Sequence, residues 1–307
     1  MENAALSRRL VLGGLAASAA LGHAWPLRAQ AAAPRIVALG GAATEILYAL
    51  GLADQVVAVD VSSGFPAEAR KKPNVGYYRA ISAEGALALS PSLIIATDGA
   101  GPKEALDVLA AASVRLVQLS EVKTAGDITA RIRAVAEAAG VPERGAELAG
   151  AVQADLAQFG EDVAKIEKRR KTLILLGPPR SGTIMAGGAG SSGGHALELA
   201  GADNAASSLT GWKPLTDEAA FGMAPEAIVV LQTNSPVSTE EVAGKPAFKD
   251  SPAVKEGRVF TADALAFIGF GPRAAHAGLG VARRIYPEAK FRDLPERPWT
   301  AATAPQK

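Results

Sequence analysis

The 307 residues contain no cysteine. Disulfides and thiolate metal sites are therefore excluded, and an exported chain of this kind relies on packing alone. Net charge is almost absent as well, with 32 basic residues against 31 acidic ones. Nucleic-acid binders normally carry a basic excess, so that class is excluded. Aromatic residues are scarce, at 5%. Beyond residue 31 no apolar stretch is long enough to cross a bilayer. What is present is a hydrophobic share of 49%, enough for sizeable cores, and a length that suits roughly two domains.

The N-terminus has the layout of a signal peptide. Ser7-Arg8-Arg9 precedes an apolar stretch from Leu10 to Leu21, and Ala29-Gln30-Ala31 is an A-x-A cleavage pattern. The paired arginines suggest the twin-arginine export route. Residues 1–31 are expected to be removed, leaving a soluble protein in the periplasm.

The most informative pattern is internal. Residues 81–96 (ISAEGALALSPSLIIA) and 215–230 (LTDEAAFGMAPEAIVV) align without a gap. Each has a helix-start signal, an acidic residue (Glu84, Glu218), a proline (Pro91, Pro225) and a buried-strand run. A second echo links residues 195–204 to residues 45–54. Repetition of this kind predicts two similarly built lobes with a cleft between them.

Strand-like runs alternate with helical spacing through the first half: 35–39, 55–61, 93–96 and 115–119 read as strands, 44–50 as a helix. The alternation predicts an α/β fold with central, mainly parallel sheets flanked by helices. From 125 to 171 strand signals vanish. Residues 145–171 read as one long helix joining the lobes, roughly 38 Å if unbroken. The expected organisation is thus a signal peptide (1–31), an N-terminal lobe (32–144), a connecting helix (145–171), a C-terminal lobe (172–290) and a tail (291–307), loosely ordered from Pro295.

From Arg35 to Ile285 the chain resembles periplasmic solute-binding proteins with one rigid connecting helix. That family feeds ATP-driven importers of haem, cobalamin and ferric siderophores. Val75-Gly76-Tyr77-Tyr78-Arg79 followed by Ser82-Ala83-Glu84-Gly85 is similar to the haem-binding branch. The resemblance implies capture and delivery of haem, not catalysis. It implies that Tyr77 ligates the iron, with Arg79 on the phenolate or on a haem propionate. Tyr78 stands where related sequences often show methionine, which leaves both tyrosines as candidate ligands. Phenolate is a hard ligand suited to ferric iron. A free phenol titrates near about 10, and a neighbouring guanidinium favours its charged form.

By the same resemblance, His195 is a candidate second ligand from the other lobe, although a water-exposed helix start is the plainer reading. Arg180 and Arg273 follow turn residues and are candidates for the propionates. Glu84 and Glu218 are expected to dock into arginine pockets of the membrane permease, and as first-turn glutamates they also suit the helix dipole. His276 reads as structural. The protein is expected to act as a monomer. Ferric siderophore and cobalamin stay open as alternative cargo, though the few aromatics disfavour the aromatic-walled cobalamin sites of this family. A remote alternative is a secreted serine hydrolase, because residues 190–194 match G-x-S-x-G; such an elbow needs its serine straight after a strand.

Overall fold

Aliphatic runs form buried strands here, and small or polar capping residues start the helices between them. In the computed structural model, which describes residues 33–177, 184–233 and 238–301, the first half runs β1 (Ile36–Leu39), α1 (Gly41–Ala49), β2 (Val56–Val59), β3 (Gly76–Tyr77), β4 (Ala80–Ile81), α2 (Ala83–Leu87), β5 (Leu93–Ala96), α3 (Lys103–Ala111), β6 (Arg115–Gln118), α4 (Ala125–Ala138) and α5 (Pro142–Val163). The second half runs β7 (Lys171–Leu176), β8 (Met185–Gly187), α6 (Ser192–Leu199), β9 (Asp203–Asn204), β10 (Trp212–Pro214), α7 (Asp217–Met223), β11 (Ala227–Gln232), α8 (Thr239–Ala243), α9 (Pro252–Lys255), β12 (Val259–Asp263), α10 (Ala264–Ile268) and α11 (Ala274–Ile285). No helix among the described residues is long and apolar enough to span a membrane. The predicted signal peptide, residues 1–31, lies outside the described residues.

The internal repeat reappears as topology. The first sheet has the order β2-β1-β5-β6 and is parallel throughout. In the second sheet β7 pairs in parallel with β9 and β11, and β11 with β12. The order β9-β7-β11-β12 thus matches the first sheet strand for strand. Antiparallel β8 and β10 extend it beside β7. All four residues of β1 and of β5 are buried, as expected of parallel strands covered on both faces. The fold is α/β, with two lobes.

Three boundaries differ from the sequence reading. Helix α1 begins at Gly41, not Thr44. Gly40 turns the chain straight off β1 with φ 105°, a conformation that glycine adopts without a Cβ penalty. The connecting helix α5 starts with Pro142 in its first turn, a favoured place for proline. It ends at Val163, eight residues before the expected end at 171. The Arg170 N–H donates to Tyr286 Oη at 2.9 Å and its Nη1 to the Ile285 carbonyl. Those bonds feed the chain into β7 at Lys171, which a continuing helix would prevent.

The third difference is the tail, whose residues 291–301 are strapped along α5. Arg297 clamps Asp155 with two bonds of 3.0 and 2.7 Å. The Arg292 backbone N–H and Nε both donate to Asp162 at 2.9 Å, and Lys165 adds a third donor at 2.8 Å. Both carboxylates have side chains only 2% exposed. Burial alone would raise the Asp162 carboxyl, but the bonds from Arg292 and Lys165 outweigh it and hold it well below the usual carboxylate range. His276 supports the tail too, its Nε2 lying 2.9 Å from the Pro295 carbonyl.

One cluster of buried side chains threads both lobes. It joins Ile36, Ile46, Ile132 and Val152 to Ile174, Leu197, Phe267 and Leu279. Phe159 of α5 sits in it, and a Cβ on Gly278 of α11 would come within 2.8 Å of its ring. Full burial of such a side chain contributes on the order of 2–3 kcal/mol. Replacing Arg297 with alanine is predicted to cost about 3 kcal/mol by leaving Asp155 buried and unpaired. Urea unfolding of the mature chain measures this, and a cost within error of zero would show that the strap carries no stability.

Candidate functional site

The site grows from the carboxyl ends of the parallel strands, where α/β sheets commonly bind ligands. Just past β2, Asp60 is almost fully buried. Its Oδ1 accepts the Gly40 N–H at 2.9 Å and the Ser63 hydroxyl at 2.8 Å. Its Oδ2 accepts the Ser62 N–H at 3.0 Å and the Tyr78 N–H at 3.3 Å. One carboxylate therefore fixes the start of α1, the loop after β2 and the β3–β4 hairpin.

In that hairpin Tyr77 pairs with Ala80 across the ladder, and Tyr78-Arg79 form its turn. Tyr77 is 44% exposed. Its ring meets Tyr78 edge to face, with centroids 4.9 Å apart. Arg79 Nε donates to Tyr78 Oη at 2.8 Å, and its guanidinium lies 5.2 Å from that ring. In this turn the hydrogen bond of Arg79 goes to the Tyr78 hydroxyl, not to the Tyr77 phenol. Burial, reinforced by Tyr78, raises the Tyr77 phenol above its ordinary value, and Arg79 offsets this only in part.

Beside the hairpin, the Val61 N–H donates to the Gly76 carbonyl at 2.9 Å. Val61, Gly64 and Arg70 line a cavity of about 380 Å³ together with Thr233. Thr233 follows β11, so the cavity is shared by both lobes.

Deeper in, the lobes are wedged together. Arg273 forms an ion pair with Glu45 of α1 and lies 3.7 Å from the centre of the Phe65 ring. Arg131 of α4 donates to Asp98 at 2.7 Å, to the Ser120 carbonyl at 2.8 Å and across the lobes to the Gly269 carbonyl at 3.2 Å. Arg273, expected as a candidate for the propionates, is thus engaged by Glu45 and Phe65. The motif-based reading missed Glu45, Asp60, Arg70 and Arg131. Glu45 carried one usable signal, because the echo of residues 45–54 in 195–204 sets it opposite His195.

His195 is the fourth residue of α6, with its side chain 15% exposed. Its Nδ1 is 3.8 Å from Glu198, and its buried Nε2 has no hydrogen-bond partner among the described residues. The water-exposed helix start is therefore not what the fold makes of it. Arg180 lies outside the described residues. The G-x-S-x-G match is a helix cap. Ser191 Oγ accepts the Gly194 N–H at 2.9 Å and donates to the Gly188 carbonyl at 2.7 Å, while Ser192 Oγ accepts Trp212 Nε1 at 3.2 Å. Both hydroxyls are engaged, and neither follows a strand directly, as a nucleophile elbow requires.

Glu84 and Glu218 occupy the same position, the second residue of matched short helices. Ser82 caps one by accepting the Gly85 N–H at 3.1 Å, and Thr216 caps the other by accepting the Ala219 N–H at 3.3 Å. Both glutamates are exposed, and no ion pair engages either among the described residues. One turn beyond Glu218, Phe221 is 59% exposed.

Residues 36–266 match the periplasmic binding protein family, and the chain belongs to it. Solved structures similar to it include the periplasmic heme-binding protein RhuT from Roseiflexus sp. RS-1 in apo form. That protein is 33% identical with a TM-score of 0.78, and the match covers 84% of this chain and 100% of that one. Among sequence relatives, the uncharacterized ABC transporter substrate-binding lipoprotein YvrC of Bacillus subtilis (strain 168) is 28% identical over 256 residues, 83% of this chain and 80% of that protein. The vitamin B12-binding protein of Yersinia pestis (strain Pestoides F) is 31% identical over 212 residues, 67% of this chain and 72% of that protein.

Glu45 generates a pH signature. Burial pushes its carboxyl from 4.5 to about 7, against the opposing pull of Arg273. Between those values the folded protein holds a proton that the unfolded chain has released. Its contribution to stability is full below about pH 4.5 and is lost as pH rises toward 7. Glu45→Gln is predicted to remove that slope, read from urea unfolding at stepped pH. An unchanged slope would clear Glu45 as its source.

Proposed function

We propose that this protein is exported through its N-terminal signal peptide (1–31) and captures haem in the cleft between its lobes. It then delivers the haem, as a monomer, to the permease of an ABC importer. The observation that carries the reading is the hairpin Gly76-Tyr77-Tyr78-Arg79. It presents a half-exposed tyrosine beside a cavity shared by the two lobes. A phenolate oxygen is a hard donor suited to ferric porphyrin. In this reading Tyr77 ligates the iron, and ferric charge offsets the burial that otherwise keeps the phenol protonated. Binding then releases a proton. Tyr78 holds Arg79 in the same hairpin, and His195 of the other lobe is the candidate for a second ligand.

The similarity to RhuT supports haem as cargo, and the similarity to YvrC supports an ABC importer as destination. The relative that binds vitamin B12 favours a second reading, cobalamin. Titration with haemin, cyanocobalamin and a ferric siderophore separates the cargoes. Haemin is predicted to bind with a Soret band and a tyrosinate charge-transfer band, and Tyr77→Phe to lose most of both. Binding of cyanocobalamin alone would replace the haem reading, and an unchanged spectrum in Tyr77→Phe would remove Tyr77 as the ligand.

Docking would fall to Glu84 and Glu218. They are matched exposed carboxylates at two helix starts, and an exposed aromatic stands beside one of them. Exposed apolar surface next to charge is a common mark of a partner surface. Reversing both charges with Glu84→Lys and Glu218→Lys is predicted to leave haemin affinity unchanged while abolishing haem uptake in cells. Lost haemin affinity in the double variant would contradict a docking role.

A further inference from the structure

Two arginines where the lobes meet are already paired with carboxylates, Arg273 with Glu45 and Arg131 with Asp98. Arg79 and Arg70 each give only Nε to a neutral acceptor, the Tyr78 hydroxyl and the Gly64 carbonyl. Of these two, Arg70 lines the cavity between the lobes. It sits on the short 3-10 turn Ala67–Lys71, anchored beneath by the fully buried Ala69. Its Nε donates to the Gly64 carbonyl at 3.0 Å, which aligns the guanidinium along that backbone. A Cβ on Gly64 would come within 3.2 Å of Nη2, so glycine permits this close approach. No acidic side chain pairs with Arg70 among the described residues. Both Gly64 and Arg70 line the inter-lobe cavity, together with Val61, which is hydrogen-bonded to the Tyr77 hairpin.

We propose that Arg70 is a carboxylate-binding subsite of this cavity, taking an acidic arm of the bound porphyrin while Tyr77 holds its iron. The inference rests on the haem reading and adds to it the residue that reads the side arms. A guanidinium with one donor already engaged keeps its remaining N–H groups for a carboxylate, and charge-assisted bonds of this type are the strong ones. The same group gains far less from a neutral ester or amide oxygen. Arg70 thereby discriminates between porphyrins bearing free acid arms and macrocycles whose arms are neutral.

The test crosses two proteins with two ligands: wild type and Arg70→Ala, each titrated with haemin and with haemin dimethyl ester. Arg70→Ala is expected to weaken haemin binding about tenfold, the scale of one charge-assisted bond. It should leave the ester affinity and the tyrosinate band unchanged. Arg70→Lys should recover part of the loss, because the charge returns without the planar fork. Haemin affinity unchanged in Arg70→Ala would overturn the proposal. Equal losses for haemin and ester would overturn it as well, by showing that the residue only shapes the cavity. If wild type binds neither ligand, the haem reading itself fails, and that outcome is distinct from both.

Discussion

A single buried carboxylate sets the geometry of the ligand-facing wall. Asp60 takes four donors from three separate pieces of chain. A buried charge is tolerable only when its lone pairs are filled, and here backbone N–H groups and a serine hydroxyl fill them. The start of α1, the loop after β2 and the tyrosine hairpin consequently share one anchor. Tyr77 gains its backbone position from this anchor, through the Tyr78 N–H bond to Asp60.

The wedge between the lobes acts on a larger scale. The Glu45–Arg273 pair, the Arg131 bond to Gly269 and the continuous core around α5 all cross from one lobe to the other. Swinging the lobes wide apart would expose that core, part Arg273 from Glu45 and break the Arg131 bond to the Gly269 carbonyl. Small rocking about α5 leaves them intact. The arrangement suits a receptor with a largely preformed cleft, in contrast to hinge-closing binders. The capped glutamates, set at equivalent points of the two halves, then keep a nearly fixed relation to one another.

The fold was open to reading because its strongest signals are local. Buried strand runs, Ser82 and Thr216 as caps, and prolines at 91 and 225 are written within a few residues of where they act. The matched strand orders follow from the repeat that those signals compose. Partnerships across long stretches of chain were not open in this way. Nothing near Arg273 in sequence shows that Glu45, 228 residues away, has claimed it. The end of α5 was misplaced because Glu161 to Lys171 is rich in good helix formers, and propensity yields to a strand that must begin at Lys171. Tyr77 was legible as a motif, whereas Arg70 lies in no motif and emerges only from the cavity that it lines.

The two carboxylates on α5 carry a consequence for how the molecule is made. Asp155 and Asp162 are committed to the interior early in the chain, yet their cationic partners Arg297 and Arg292 arrive 142 and 130 residues later. Until the final segment emerges, that face of the joining helix must stay wet or bear unmatched charge. The last stretch of polypeptide is therefore a seal. A nascent or clipped chain that lacks it is marked as unfinished by its own electrostatics, and a protease would meet it in a loosened state.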